Sequence, residues 1–323
     1  MPKPRYQQIS VSDTPYYHLV SRCVRRAFLC GVSERYNFEH RRGWILERLT
    51  LLSQMFAIDI AAFALMSNHY HLVVRVDTTK AAAWTAQEIA ERWQLLFCLP
   101  VLVERYLSGA SSGEAENQVT ATILETWRAR LCDISWFMRC LNEHIARLAN
   151  LEDQCTGRFW EGRFKSQALL DEKALLTAMA YVDLNPIRAK MAETPESSDY
   201  TSIQQRLGKA IHSVFHGPLL PFAGNSQQQN AAQHIPYHFI DYVELVEWTG
   251  RQLRAGKRGV IDQKQPPILI RLGISEHCWL QNCQQLETVF HQVIGPISSL
   301  KHFCQKLGLR WLHGQTACRR SFG

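Results

Sequence analysis

The chain has 323 residues and a hydrophobic fraction of 46%, which predicts a sizeable core arranged as one main domain and a smaller one. Its 36 Lys and Arg residues exceed its 29 Asp and Glu residues, so the net charge of 36 − 29 = +7 favours a polyanionic partner such as nucleic acid. No run of about 18 apolar residues and no signal peptide is present, which excludes a membrane protein. The ten scattered cysteines include no Cys-x-x-Cys pair, so we expect reduced thiols, without zinc or disulfides, in a cytoplasmic, nucleoid-associated protein.

The N-terminal part of the chain predicts an arm, a strand and a helix. Residues 1–15 are polar and are expected to form a flexible basic arm. The stretch from Tyr16 to Arg26 alternates in polarity and predicts the first strand, and the stretch from Ser33 to Phe56 predicts a helix. We expect the main domain to occupy residues 16–205.

Two histidines lie on a predicted strand next to a tight turn. Residues 67–68 separate the apolar runs 58–66 and 70–76, which predicts an antiparallel hairpin. Successive side chains of a strand point to opposite faces, so His69 and His71 share one face. This pair can hold a cation, although two imidazoles alone bind a metal weakly and a merely solvated pair is the alternative. A third ligand and a reactive group must therefore come from elsewhere.

Residues 77 to about 130 predict an insertion in the main domain. The stretch from Ala81 to Leu107 has a helical pattern, residues 108–117 are rich in Gly, Ser and Glu, and the stretch from Val119 to Arg130 is again helical. A lid over DNA and a surface excursion without function are both open interpretations. A helix is then predicted from Ile134 to Leu151, because apolar residues recur there every three or four positions.

The segment 157–170 predicts a loop and a strand that interleave cations with aromatic rings. Cations for phosphates next to rings for unpaired bases are typical of a nucleic-acid contact. A core strand with its aromatic residues turned inward is the alternative, and both can hold because alternate residues face opposite ways. The candidate DNA contacts are Arg158, Trp160, Arg163 and Lys165.

A helix predicted to run from an N-cap at Asp171 to at least Leu184 carries a candidate nucleophile. Counting about 100° per residue places three residues roughly opposite its apolar stripe: Tyr181, Asn185 and Arg188. The i, i+4 spacing of Tyr181 and Asn185 suits a nucleophile and a polar metal ligand that approach one phosphate. Pro186 indicates a helix end or kink at Asn185, and an ordinary half-buried tyrosine is the alternative for Tyr181 alone.

The composition changes beyond the main domain. Residues 206–235 are predicted to be a linker, because 209–235 is rich in Gln, Asn, Gly and Pro. Residues 236–323 predict a small helical domain with eleven Lys and Arg against six Asp and Glu, a balance of 11 − 6 = +5. Its helices are predicted at 237–253, 276–293 and 298–307. This domain either binds DNA phosphates or packs on the core as an appendage.

The order strand, helix, strand, strand, helix, strand, followed by the tyrosine helix, predicts an α+β fold. We expect a ferredoxin-like sandwich with an antiparallel sheet and helices on one face. The other face is then open for DNA and a metal.

Three segments in this order resemble those of the REP-associated tyrosine transposases. They read Met-Ser-Asn-His-Tyr-His-Leu-Val-Val at 66–74, Gly-Arg-Phe-Trp-Glu-Gly-Arg-Phe-Lys-Ser at 157–166 and Ala-Tyr-Val-Asp-Leu-Asn-Pro-Ile-Arg-Ala at 180–189. These transposases belong to the single-tyrosine HUH nucleases, with an IS200-like transposase domain. The resemblance runs from about Tyr16 to Ser202, and Ser67 stands where the family usually has proline.

The resemblance implies a role for each matching residue. His69 and His71 become the paired metal ligands, Asn185 the polar third ligand and Tyr181 the nucleophile, with Arg188 among the DNA contacts. It also implies Mg²⁺ or Mn²⁺, a 5′-phosphotyrosine intermediate and a free 3′ hydroxyl on single-stranded, REP-like hairpin DNA. A monomer is expected, with a dimer as the alternative. A hairpin-binding protein that does not cleave, and a metal-dependent nuclease that uses water, remain the alternative functions.

Overall fold

The computed structural model describes residues 4–24, 29–32, 37–111, 113–208, 215–224, 234–255, 266–309 and 312–322. Parts of six predicted segments lie outside these residues. They are the first residues of the arm, the end of the first strand at 25–26, the start of the first helix at 33–36, residue 112 of the insertion, the linker at 209–214 and 225–233, and residues 256–265, 310–311 and 323 of the C-terminal domain.

Within the described residues, five strands form one sheet: β1 (Tyr16–Arg22), β2 (Ile58–Leu65), β3 (His69–Val76), β4 (Lys165–Leu169) and β5 (Val293–Ile294). Their order is β2-β3-β1-β4-β5. All neighbours among the first four strands are antiparallel, whereas β5 runs parallel to β4. The first four strands have the order and helix connections of a ferredoxin-like fold, which confirms the predicted α+β class.

Nine helices lie between residues 41 and 206 among the described residues. They are α1 (Arg41–Met55), α2 (Thr78–Ala83), α3 (Ala86–Gln94), α4 (Val101–Leu107), α5 (Glu114–Leu131), α6 (Ile134–Glu152), α7 (Glu172–Asp183), α8 (Asn185–Arg188) and α9 (Ser202–Arg206). The remaining helices are α10 (Phe239–Ala255), α11 (Pro267–Leu272), α12 (Glu276–Val289), α13 (Ile297–Lys306) and α14 (Gln315–Phe322).

The helical stretch predicted from Ala81 to Leu107 is wrong as one element, because three separate helices occupy it. Thr85 begins α3 with a capping box, in which its side chain accepts from the Glu88 backbone and the Glu88 carboxylate accepts from the Thr85 backbone. Pro100 is the N-cap of α4, where its ring cannot continue a preceding helix. Capping residues therefore divide a stretch that has a continuous helical pattern.

The hairpin and the tyrosine helix form where the sequence predicts them. Residues 67–68 link β2 and β3, and the Met66 N–H donates to the His69 carbonyl at 2.9 Å. Asp171 is the N-cap of α7, where its carboxylate accepts from the Ala174 N–H at 2.8 Å. The helix ends one residue before Leu184, and Pro186 sits in the first turn of α8.

Helices cover both faces of the sheet, so the expected open face is wrong. The phenol of Tyr70 donates to Asn142 of α6, which places α6, and the α1 helix packed on it, on one face. His71 points to the other face, where its ring lies 5.7 Å from the ring of Tyr181 on α7. Helix α12 packs on α7 from outside, so α7 is buried on all sides from Ala174 onward.

The region beyond residue 236 contacts the main domain directly. Strand β5 extends the sheet, α10 packs on α8 and α12 packs on α7. The Gln167 side chain donates to the Phe290 carbonyl at 2.7 Å. The predicted domain boundary near residue 236 stays a prediction. Hydrogen bonds and helix contacts join the residues on its two sides. No helix in the described residues is both long and apolar enough to cross a membrane.

Candidate metal centre

Three side chains converge on the covered face of the sheet. His69 and His71 lie two residues apart on β3, with ring centroids 4.8 Å apart, and Glu287 reaches them from the last turn of α12. One potential ligand atom from each residue lies within 4.8 Å of the other two. The His71 Nε2 atom is 3.6 Å from Glu287 Oε1. Two imidazoles and one carboxylate therefore face a common point.

Both imidazoles are held in the neutral form that binds metals. Burial lowers the pKa of His69 to about 4, and the cation of Arg22 adds to this lowering. Burial also places the pKa of His71 well below its ordinary value. A neutral imidazole keeps a lone pair on one nitrogen, which a metal requires.

Tyr181 lies next to this cluster. Its hydroxyl donates to Glu287 Oε1 at 3.1 Å, and the guanidinium carbon of Arg188 lies 3.7 Å from the centre of its ring. Burial raises the pKa of Tyr181, the cation of Arg188 lowers it and the Glu287 carboxylate raises it further. The phenol is therefore neutral at rest and has an anionic acceptor for its proton.

Helix α12 is bent where it reaches the cluster. Gln285 has non-helical backbone angles, with φ −130° and ψ 23°, two residues before Glu287. An Arg188 N–H donates to the Gln284 carbonyl at 3.2 Å beside this bend. The same arginine thus contacts both the phenol ring and the kinked turn that carries Glu287.

Asn185, the predicted third ligand, is buried at the first residue of α8. Among the described residues, its side-chain Nδ2 has no hydrogen-bond partner. A buried amide nitrogen without an acceptor is costly unless a ligand supplies one. The role of Asn185 as a metal ligand stays a prediction, and Glu287 is a second residue that can fill it.

A groove opens beside the cluster and has a volume of about 510 Å³. Its lining includes Glu287 and His18 together with three cations: Arg5, Arg163 and Lys165. The guanidinium of Arg5 stacks 3.6 Å above the ring of Phe164. Two of the predicted DNA contacts, Arg163 and Lys165, therefore line the same groove as Glu287.

The other two contacts predicted in this segment have different positions. Trp160 packs edge-on against Tyr70, with ring centroids 5.7 Å apart, and its indole N–H donates to the Asn142 carbonyl at 2.8 Å. These contacts place it on the face opposite His71. Arg158 is exposed and does not line the groove.

Sequence reasoning missed Glu287 and His18. Glu287 belongs to a helical region with no recognisable motif, and 106 residues separate it from Tyr181. His18 lies in the predicted first strand, where period-two alternation places it on one face with Val20 and Arg22. Only the pairing of β1 with β3 brings that face beside His71, and a single sequence does not reveal this register.

The residues present fit a divalent cation. His71 Nε2 is fully buried and has no hydrogen-bond partner among the described residues, as expected of a ligand atom. Imidazole and carboxylate donors together suit divalent first-row metals such as Mn²⁺. The two histidines and Glu287 can therefore hold a divalent metal ion.

No protein-family model matches this chain, and no curated protein sequence matches it. Among solved structures, the chain is similar to that of a REP-associated tyrosine transposase bound to a REP hairpin, with a TM-score of 0.39 and 11% sequence identity. That similarity covers 71% of this chain and 100% of the other. A likeness of this size carries no functional conclusion, and function is inferred from the geometry of the site.

Proposed function

We propose that this protein is a transposase and single-strand DNA endonuclease that cleaves and rejoins hairpin-forming DNA through a phosphotyrosine bond. The observation that carries this proposal is the convergence of four groups from three parts of the chain: Tyr181, His69, His71 and Glu287. Three of the four lie in the segments that resemble REP-associated tyrosine transposases. A phenol beside a site for a cation matches the chemistry of that family.

His69, His71 and Glu287 would hold the divalent cation, Mn²⁺ or Mg²⁺, with Asn185 as the further candidate ligand. When bound, the cation polarises the scissile phosphate and stabilises the charge that develops in the transition state. Mn²⁺ accepts imidazole ligands more readily than Mg²⁺, which prefers oxygen and water.

In the proposed reaction, the Tyr181 oxygen attacks phosphorus as its proton passes to the Glu287 carboxylate, 3.1 Å away. A bond from phosphorus to the Tyr181 oxygen forms and the bond to the 3′ oxygen breaks. The 3′ oxygen leaves and takes up a proton from water, and Glu287 returns the proton that it received to water. The products are a 5′-phosphotyrosine and a free 3′ hydroxyl, and the reverse steps rejoin the strand without an external energy source.

The positive charges of Arg188 and of the groove complement the negative charge of a DNA strand. The Arg188 guanidinium, stacked on the phenol ring, favours the anionic character that Tyr181 acquires during attack. The cations of Arg163 and Lys165 line the same groove as Glu287, where they suit backbone phosphates of an unpaired DNA strand. This arrangement supports single-stranded DNA as the substrate rather than a small phosphate ester.

The experiment that tests the function is incubation of the full chain with single-stranded hairpin oligonucleotides and Mn²⁺, followed by denaturing gel electrophoresis and mass analysis. We expect a covalent protein–DNA adduct at Tyr181 that is lost with EDTA and in Tyr181→Phe. Tyr106→Phe, which removes a hydroxyl from α4 in the insertion, is the matched control and keeps the adduct.

Two outcomes would contradict the proposal. Cleavage that yields no adduct and survives Tyr181→Phe would make water the nucleophile. Tight hairpin binding without cleavage, equal in wild type and Tyr181→Phe, would make the chain a hairpin-binding protein.

A further inference from the structure

Three polar side chains on three neighbouring strands form a chain of hydrogen bonds beneath the metal centre. Gln167 on β4 lies directly opposite His18 on β1, and His18 is diagonal to His71 on β3. Gln167 Oε1 is 2.7 Å from His18 Nδ1, and His18 Nε2 is 3.0 Å from His71 Nδ1. Both imidazoles are fully buried, so water cannot replace any of these partners.

The hydrogen bond at the Gln167 end of this network fixes which group donates and which accepts in each of the other hydrogen bonds. The Gln167 Nε2 group donates to the Phe290 carbonyl at 2.7 Å, and a carbonyl oxygen can only accept. The amide orientation of Gln167 is therefore set, and its Oε1 atom must accept from His18. It follows that His18 carries its hydrogen on Nδ1.

A neutral His18 then has only a lone pair on Nε2. Full burial without a carboxylate in hydrogen-bond contact disfavours a charged imidazole at this position. The His18 Nε2 atom accepts, so His71 must donate from Nδ1. That leaves the lone pair of His71 on Nε2, which is the atom 3.6 Å from Glu287 Oε1 and has no hydrogen-bond partner among the described residues.

We propose that Gln167 and His18 are positioning residues that hold His71 in its Nδ1–H tautomer and direct its Nε2 lone pair at the metal centre. This inference rests on the proposed function, in which His71 binds a divalent cation and therefore needs a free lone pair on Nε2. It adds to that function a relay of two residues that orient a metal ligand without binding the metal themselves.

The relay also links the tautomer of His71 to the C-terminal region. Phe290 is the C-cap residue of α12, three positions after Glu287. The same turn thus contributes the carboxylate of the metal centre and the carbonyl that orients Gln167. Packing of this turn against β4 therefore supplies the carboxylate ligand and also fixes which ring nitrogens of the two buried imidazoles carry hydrogen.

The direct test measures the tautomer in the metal-free full chain without DNA. Long-range ¹H–¹⁵N correlation spectra of ¹⁵N-histidine protein distinguish protonated from unprotonated ring nitrogens, and the spectrum of His71→Gln assigns the His71 signals. We expect a protonated Nδ1 and an unprotonated Nε2. A protonated His71 Nε2 overturns the relay, whether or not the protein binds a metal or cleaves DNA.

The second test measures Mn²⁺ affinity by calorimetry in Gln167→Met and His18→Phe. We expect binding to weaken by about 10- to 100-fold, as is typical when the residue that orients a metal-bound histidine is lost. His302→Gln is the control, because that histidine is 64% exposed and lies outside the relay; its affinity stays unchanged. Far-ultraviolet circular dichroism and thermal unfolding identify variants that fold like wild type.

Two results separate this inference from the proposed function. Wild-type Mn²⁺ affinity in a folded Gln167→Met overturns the positioning role and leaves the function untouched. The expected tautomer in a wild-type chain that binds no Mn²⁺ supports the relay and contradicts the metal-dependent function.

Discussion

The hydroxyl of Tyr181 donates a hydrogen bond to the carboxylate of Glu287 at 3.1 Å, across 106 residues of chain. This bond lies on the His71 face of the sheet, which the sequence predicts to be free of helices. It also gives the phenol an acceptor for its proton. Burial raises the pKa of Tyr181, the stacked Arg188 lowers it and Glu287 raises it further. The C-terminal region therefore contributes a side chain to the site.

The first prediction concerns the identity of the third metal ligand. Glu287→Gln keeps the size of the side chain and removes its charge, so we expect the affinity for Mn²⁺ to fall at least about tenfold. Calorimetric titration of the metal-free protein measures the change. Glu276→Gln, at the other end of the same helix, is the control and keeps wild-type affinity. Loss of affinity in Asn185→Ala but not in Glu287→Gln would instead make the amide the third ligand.

The second prediction concerns the cation of Arg188, which is stacked on the ring of the proposed nucleophile, Tyr181. Arg188→Met keeps an apolar contact with the Tyr181 ring but removes the charge 3.7 Å from the ring centre. We expect the pKa of Tyr181 to rise further and adduct formation to slow by about tenfold, which corresponds to about 1.4 kcal/mol of transition-state stabilisation. Single-turnover rates measured against pH check this.

A matched control separates the local effect of Arg188 from a general loss of positive charge. Arg147→Met removes a charge that is 77% exposed on α6, and we expect its single-turnover rate to equal that of wild type. Equal slowing in both variants would show that Arg188 acts only through net charge.

Local signals predicted much of the ferredoxin-like part of the fold. The β2–β3 hairpin, helix α6 and the Asp171 cap of α7 depend on turn residues, apolar periodicity and capping over short distances. The position of His69 and His71 on one face follows from the alternation of side chains along a strand. Strand β5 escaped prediction because it has only two residues, and residues 290–292 are all that separate it from the end of α12.

The remaining parts of the site depend on contacts between distant residues. Glu287 is one acidic residue among several in the C-terminal region, and nothing near it in sequence distinguishes it. His18 becomes functional only through the register that places it beside His71. The positions of Arg163 and Trp160 on different sides of the segment could be anticipated from alternation, whereas which side faces the metal could not.

The third prediction separates structural from DNA-binding roles within that segment. Trp160→Phe loses the indole hydrogen bond to the Asn142 carbonyl, so we expect the free energy of unfolding to fall by about 1–2 kcal/mol with hairpin affinity unchanged. Lys165→Ala removes a cation from the groove, so we expect weaker hairpin binding with unchanged stability. Its slope of log affinity against log salt should decrease by about 0.7, the value for one contact to a single strand. The reverse pattern, with Trp160→Phe weakening affinity and Lys165→Ala leaving it unchanged, would place the DNA on the Tyr70 face.

The last prediction concerns a buried carboxyl group two residues after the nucleophile. Asp183 is fully buried, and it accepts hydrogen bonds from the hydroxyls of Ser202 and Tyr242 and from the Ile203 N–H. Burial raises the pKa of Asp183 to about 6, and these hydrogen bonds offset only part of the rise. The group thus joins the end of α7 to α9 and α10 while favouring its protonated form.

The sign of the resulting pH dependence follows from the raised pKa. Between pH 4 and 6 the folded state binds more protons at Asp183 than the unfolded state, so the stabilising contribution present at low pH is lost as the pH rises. The loss is on the order of 3 kcal/mol. Relative to wild type, Asp183→Asn should therefore gain stability across this window, measured by urea unfolding at several pH values. Asp241→Asn on α10, whose carboxylate is partly exposed, should show no such trend. A constant difference between wild type and Asp183→Asn across the window would mean that Asp183 is ionised throughout and that its hydrogen bonds outweigh its burial.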